Sequence, residues 1–270
     1  MNLQTMEYFS VLARERSFTR AAEALHITQQ SLSGHIAAVE QELGDITGEQ
    51  RGQLRIGVAF TRSKAILPDV VTAFQQEYPN VELCILENAN EKFHRALLDG
   101  EIDLAIANFP PSLPELELEP FYHEDVVLLA SRALLQAYGL TPEQCARAVR
   151  EENYAIFRDC PFVLGSRAQD ISGLAAQAAL RTVGAPVRVR ARSDNADTMI
   201  TLCERGCGIC FCSELLLRAL RSEQQLEPML VLRLPRKQAG QIRFAYRKKP
   251  YQWQLLSTFL RIARQCVHEA

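Results

Sequence analysis

Residues 17–44 read SFTRAAEALHITQQSLSGHIAAVEQELG, and their spacing decides the fold of the amino-terminal part. Ser17 stands where a helix N-cap would, and Phe18, Ala21, Ala22 and Leu25 follow at i, i+3, i+4 and i+7, one stripe of an amphipathic helix. His26 and Ile27 fill a short connection. Thr28 is a second N-cap, and Leu32, Ile36, Val39 and Leu43 repeat the helical period up to Gly44, a suitable C′ stop. Upstream, Leu3, Met6, Phe9 and Leu12 recur every three residues, which predicts a further helix. Three short helices with a tight turn between the last two form a helix-turn-helix candidate. The outward face of the third begins with Gln29, Gln30, Ser33 and His35. Amide and hydroxyl groups near a helix N-terminus can reach base edges in a major groove, although the same pattern also serves as a solvated face.

The whole chain has 270 residues, 47% hydrophobic and 23% charged, with a formal net charge of −2. That length suits about two domains, and the charge lends no bulk support to nucleic-acid binding, so any such case is local. No apolar run approaches the ~18 residues of a membrane span, and the start lacks a basic stretch followed by an apolar one. Eight cysteines sit in apolar runs of a long chain, which fits a reducing compartment better than a disulfide framework. The expectation is a cytoplasmic protein without a membrane partner.

From Gln53 onward short apolar strands alternate with helices. The runs 54–58, 81–86 and 102–107, with helical segments between them, predict βαβαβ and a mostly parallel sheet. Residues 121–130 read as one strand crossing to a second lobe, where the order repeats through 162–164, 187–191 and 208–212; 241–247 and 251–267 add a last strand and helix. Two such lobes place a ligand cleft at the strand ends. Thr61, Arg62 and Ser63 follow the first strand and open a helix, a position suited to an anion such as the carboxylate of an organic acid; helix capping is the plainer role for Thr61 and Ser63. Asn88, Asn90 and Asn108 end the next two strands, and Ser166, Arg167 and Asn195 occupy the matching ends in the second lobe. Their amides, hydroxyl and guanidinium could meet a ligand, or serve their own turns and the solvent.

Cys203, Cys207, Cys210 and Cys212 form a dense C-x3-C-x2-C-x-C group. The spacing fits a zinc knuckle poorly, and cysteine in such runs packs as a small hydrophobe; redox sensing is the lesser reading. Five scattered histidines, no P-loop and no G-x-G-x-x-G give catalysis no footing. No catalytic residue, metal ligand or cofactor is assigned.

Phe18-Thr19-Arg20-Ala21-Ala22, Leu25, Thr28-Gln29-Gln30-Ser31-Leu32-Ser33 and the run to Leu43-Gly44 closely resemble the DNA-binding head of LysR-type transcriptional regulators. Gly52–Gly57, Tyr78-Pro79-Asn80-Val81, Gly100–Ile106 and Gly206–Ile209 resemble their effector-binding domain. The resemblance implies an all-α helix-turn-helix head (1–44) and a periplasmic-binding-protein-like α/β effector domain (53–270) of two lobes, lobe I 53–125 with 235–270 and lobe II 126–234. It places Ser17, Thr28, Gln29, Gln30, Ser33 and His35 at or near promoter DNA. It also implies a small-molecule effector between the lobes and self-association as a dimer or tetramer. Family heads continue through a β-wing and a long dimerising helix; here only residues 45–52 intervene, at most about 28 Å of extended chain. The wing and most of the linker helix are therefore expected to be deleted. Residues 1–50 carry three arginines against seven acidic residues, a net of −4, so DNA binding is expected to be impaired. The competing reading is an effector-binding module without DNA-binding activity of its own, and behind it a cysteine-based redox sensor.

Overall fold

A computed structural model describes residues 3–36, 52–166, 170–184, 186–235, 240–248 and 254–268. The break after Gly44, the end of the third helix with Val39 and Leu43, and Arg167 fall outside these residues.

The head comprises α1 (Leu3–Glu15), α2 (Phe18–Ala24) and α3, described over 29–36. The Arg20 amide donates to Ser17 Oγ at 3.5 Å and the Ser31 amide to Thr28 Oγ1 at 3.1 Å, so both expected caps form. Among the described residues the core of the head is Tyr8, Ala21, Ala22, Leu32 and Ile36, with Val11, Leu12, Leu25 and Ile27 packed around it. The stripe read on α1 needs correction, because Met6 (50% exposed) and Phe9 (44%) face outward while Tyr8 is buried. Helical phase groups Tyr8 with Val11 and Leu12, and the Tyr8 ring meets the His35 ring edge-on at 5.1 Å.

The rest of the chain runs β1 (Gly52–Ala59), α4 (Phe60–Glu77), β2 (Val81–Asn88), α5 (Asn90–Leu98), β3 (Leu104–Ala107), β4 (Leu116–Glu124) and β5 (Val126–Ser131). There follow α6 (Arg132–Ala137), α7 (Pro142–Arg150), a 3-10 turn at Tyr154–Phe157, β6 (Pro161–Gly165), α8 (Ile171–Arg181), β7 (Arg188–Ser193) and α9 (Ala196–Glu204). β8 (Cys210–Ser213), α10 (Glu214–Leu220), α11 (Glu223–Leu226), β9 (Met229–Arg233), β10 (Gly240–Arg247) and α12 (Gln254–His268) complete it.

One compact unit holds Met1–Ala59, Ile66–Pro120 and Arg243–Ala270; the other holds Phe60–Ala65 and Phe121–Ile242. In the first, a five-stranded sheet has the order β2-β1-β3-β10-β4, with β1 parallel to β2 and β3, and β10 antiparallel to β3. β1 is an interior strand, between β2 and β3, and Leu54, Ile56 and Val58 are fully buried. Gly57 on β1 has no room for a side chain: a Cβ there would stand 2.7 Å from the Phe93 ring of α5. Phe74 of α4 packs against Phe259 of α12 with ring centroids 5.6 Å apart, fastening both helices.

In the second unit β5 lies between β8 and β9, antiparallel to both, while β6 pairs in parallel with β7. One sequence expectation changes here: residues 121–130 are two strands broken at Asp125. The second lobe does repeat the parallel order of the first, since β6 is parallel to β7 and Phe162 of β6 bridges in parallel to Ile209, just ahead of β8. α9 ends at Gly206 (φ +74), whose amide donates to Cys203 O while the Cys207 amide donates to Leu202 O, a Schellman closure that needs the left-handed residue.

Candidate functional site

Two regions bring together the residues singled out by sequence. On the head, α3 presents exposed Gln29, Gln30 and Ser33. Thr19 Oγ1 donates to Gln29 Oε1 at 3.4 Å, joining α2 to α3. Ser17 and Thr28 are engaged as caps. His35 is the exception: its Nδ1 lies 2.7 Å from Ser31 O and its ring against Tyr8, so it is half-buried within the head. Gln30, Ser31 and His35 also line a cavity whose opposite wall includes Asp99, Glu101 and Arg247.

The second region is a small cavity of about 30 Å³, open to solvent and lined entirely by residues of the second unit. Its polar wall is Thr61 from the first turn of α4, Asp170, Ser172 and Gly173 at the start of α8, Ser193 and Asp194 at the end of β7, and Ser213 ahead of α10. Its floor is Leu164, Ala176, Met199, Phe211 and Leu216. Three helix N-termini meet at this wall and each carries its own cap. Asp170 accepts from the Gly173 amide at 2.6 Å, Asn195 from Thr198 at 3.0 Å and Ser213 from Leu216 at 3.4 Å. α4 differs, since its N-cap is Ala59, which offers no side-chain acceptor. Neither Thr61 nor Ser63 is therefore an N-cap; Ser63 is buried and its Oγ donates to Phe60 O at 3.4 Å.

Arg62, read as exposed to a ligand, is 1% exposed, and its Nη2 donates to Glu124 Oε2 at 2.7 Å. Tyr122 Oη donates to the other carboxylate oxygen at 3.4 Å. Burial opposes the charge on Arg62, but Glu124, with Tyr122 and Asp170, outweighs it and raises the guanidinium pKa. Burial and then Glu124 push Tyr122 well above its ordinary value.

The side chains of Asn88, Asn90 and Asn195 each accept from a backbone amide. Asn88 Oδ1 accepts from the Ala89 amide at 2.9 Å and Asn90 Oδ1 from the Asn108 amide at 3.3 Å. Asn195 caps α9 without lining the cavity, and the Ser166 amide donates to Ser193 O at 3.0 Å. Asp194 stands beside Asn195 at the strand end singled out by sequence; the residues missed were Asp170, Ser172, Ser193 and Ser213. A cap signature announces several of them: a short polar residue just before an apolar helical run.

Cys203, Cys210 and Cys212 are buried in the core around β5 and α9, and Cys203 Sγ donates to Leu129 O at 3.1 Å. Hydrogen bonds with Cys203 and Cys212, then burial, push the Cys210 thiol well above its ordinary value, the reverse of what a reactive thiolate requires. Among the described residues there is no group of three side chains placed to hold a metal ion, and no helix long and apolar enough to cross a membrane.

Residues 3–48 match the family described as bacterial regulatory helix-turn-helix protein, lysR family, and residues 47–266 match the LysR substrate binding domain. Among curated relatives, the HTH-type transcriptional regulator YcgK of Bacillus subtilis is 27% identical over 213 residues, 61% of this chain and 65% of the relative. A probable RuBisCO transcriptional regulator of Thalassiosira pseudonana is 27% identical over 173 residues, 48% of this chain and 56% of the relative. The chain thus spans less than two thirds of the length of these relatives. The fold matches the crystal structure of full-length CbnR complexed with its target DNA at a TM-score of 0.59 and 18% identity, covering 98% of this chain and 99% of that one.

Proposed function

The chain belongs to the LysR family of helix-turn-helix proteins, and we propose that it is a cytoplasmic transcriptional regulator that reads promoter DNA through α3 under control of a small effector. The observation that carries this reading is the exposed N-terminal face of α3, where Gln29, Gln30 and Ser33 stand clear of the helix caps. Amides on such a face can pair with adenine edges in a major groove. The effector binds in the cavity walled by Thr61, Asp170 and Ser213. An organic acid is the class expected from sequence. Coupling follows if the effector has unequal affinity for two arrangements of the protein. Self-association as a dimer or tetramer belongs to the same reading, although the helix that would join two copies is largely deleted.

Impaired DNA binding is part of the proposal. Three arginines against seven acidic residues in 1–50 leave little to displace counterions, and the two family matches abut at residues 47–48 with nothing between them for a wing. The same acidic head favours the second reading, an effector-binding module that does not bind DNA alone. Fluorescence anisotropy on a duplex carrying the regulator's own upstream region separates the two. Restoring a wing and linker helix after Gly44 should tighten binding by about tenfold or more at matched salt. Equal affinity would sink the deletion argument, and no binding by either form would favour the module.

A further inference from the structure

We propose that the outer face of β7 is a second nucleic-acid contact, an arginine strip that grips the phosphate backbone of duplex DNA without reading its bases. It lies apart from both α3 and the cavity, and goes beyond the function assigned to them. Residues 171–193 carry four arginines and neither lysine nor an acidic residue, whereas residues 1–50 carry a net of −4. The positive charge that the head lacks is present here, in the second unit. Arg188, Arg190 and Arg192 alternate along β7 and are exposed, while Val189, Ala191 and Ser193 between them are half-buried. Ala191 packs against the core around β5 and α9, which turns the arginines to solvent. Side chains on one face of a strand stand about 6–7 Å apart, comparable with the step between neighbouring phosphates of one nucleic-acid strand. Among the described residues β7 pairs only with β6, so the strip runs along a sheet edge. Phe162 faces Val189 and Val163 faces Ala191, leaving Arg190 as the extra residue of a bulge. Its Nη1 donates to Cys207 O at 3.3 Å, near the end of α9, where Arg205 is also exposed.

Among the described residues none of the three strand arginines forms an ion pair. Of the carboxylates that follow β7, Asp194 lines the cavity wall, and Asp197 and Glu204 pair with Arg221 at 3.0 and 2.5 Å. Charged side chains also guard a sheet edge against strand addition. Guanidiniums, however, can each donate two parallel hydrogen bonds to a phosphate, and every phosphate neutralised releases counterions. The acidic residues of 1–50 have no comparable regular spacing, so an evenly charged backbone fits the strip better than the head of a second copy.

Fluorescence anisotropy of the full chain on two duplexes, its own upstream region and a scrambled version, tests this across roughly 50–200 mM salt. The triple substitution Arg188→Gln, Arg190→Gln and Arg192→Gln should weaken binding to both duplexes equally, by about tenfold or more at low salt. It should also reduce the slope of log K against log salt by about 2–3. Each single substitution should account for about 0.9 of that slope, so one folded variant suffices. Lysine at all three positions keeps the charges and should keep the slope. An unchanged slope in the glutamine variants overturns the inference. So does a change in self-association by sedimentation with duplex affinity intact, which would make the acidic head of a second copy the occupant. Preference for the upstream duplex reports α3 separately. Preference retained with an unchanged slope removes the strip alone; preference absent with an arginine-dependent slope removes the α3 reading alone. No binding to either duplex removes both.

Discussion

The face of α3 and the wall of the cavity are both made at helix N-termini from small polar residues, yet they use those residues in opposite ways. On the head, Thr28 caps the helix, Gln29 accepts from Thr19, and Gln30 and Ser33 are left facing solvent. At the cavity, Asp170, Asn195 and Ser213 each hold their own helix. A surface that reads a partner needs side chains without structural duty; a wall that must keep its shape ties them down. Removing a cavity polar group should therefore cost stability, and removing a head polar group should cost only recognition. The supporting cores differ in the same sense. Among the described residues, five buried side chains form the core of the head, and β5 alone contributes six to the second unit.

Breaking the tie beneath the cavity should have the largest effect. Arg62→Met leaves Glu124 buried without its ion-pair partner, which should destabilise the second unit by about 3–5 kcal/mol. Urea denaturation with reporters in each unit would register it, and a loss below about 1 kcal/mol would mean that water replaces the guanidinium at Glu124.

The direct contrast is a pair of substitutions. Asn195→Ala should cost about 1 kcal/mol of stability through the lost α9 cap. Gln30→Ala, on an exposed face, should stay within about 0.5 kcal/mol in denaturation and instead weaken duplex binding. If Gln30→Ala proved the more destabilising, the division between reading and supporting residues would fail.

The smallest effect concerns pH. Glu214 accepts from Arg233 at 2.6 and 2.8 Å and from Arg218 at 2.8 Å. The Arg233 hydrogen bonds, then Arg218 against the opposing effect of burial, hold its carboxyl below the usual range. A carboxyl depressed on folding adds stability above its unfolded pKa of about 4.3 and loses it as pH falls through the lower folded value. The urea midpoint should therefore be flat near neutrality and decline below about pH 4. Arg233→Met should flatten that decline, and an unchanged acid limb would assign it to other carboxylates such as Glu119.

The elements of the head, their caps and the strands of the first sheet were legible because each depends on residues close in sequence. Helical period, a capping Ser17 or Thr28 and a Gly206 closure involve only neighbours along the chain. Met6 and Phe9 misled, because several faces of a short helix are apolar and only packing against α3 selects Tyr8. The break at Asp125 and the antiparallel seating of β8 against β5 depend on partners more than eighty residues away. The asparagines at the strand ends were read as ligand contacts; Asn88 and Asn90 in fact serve neighbouring amides.

By itself, the sequence determined the family, the helix-turn-helix with its Gln29-Gln30 face, and the alternating strands and helices after Gln53, since periodicity and caps are local properties. Only the tertiary structure decided that Arg62 is buried against Glu124, and that Asp170, Asp194 and Ser213 share one wall with Thr61. Which charge meets which depends on distances across the fold, and a charge's pairing, more than its presence in the chain, sets what a cavity will accept.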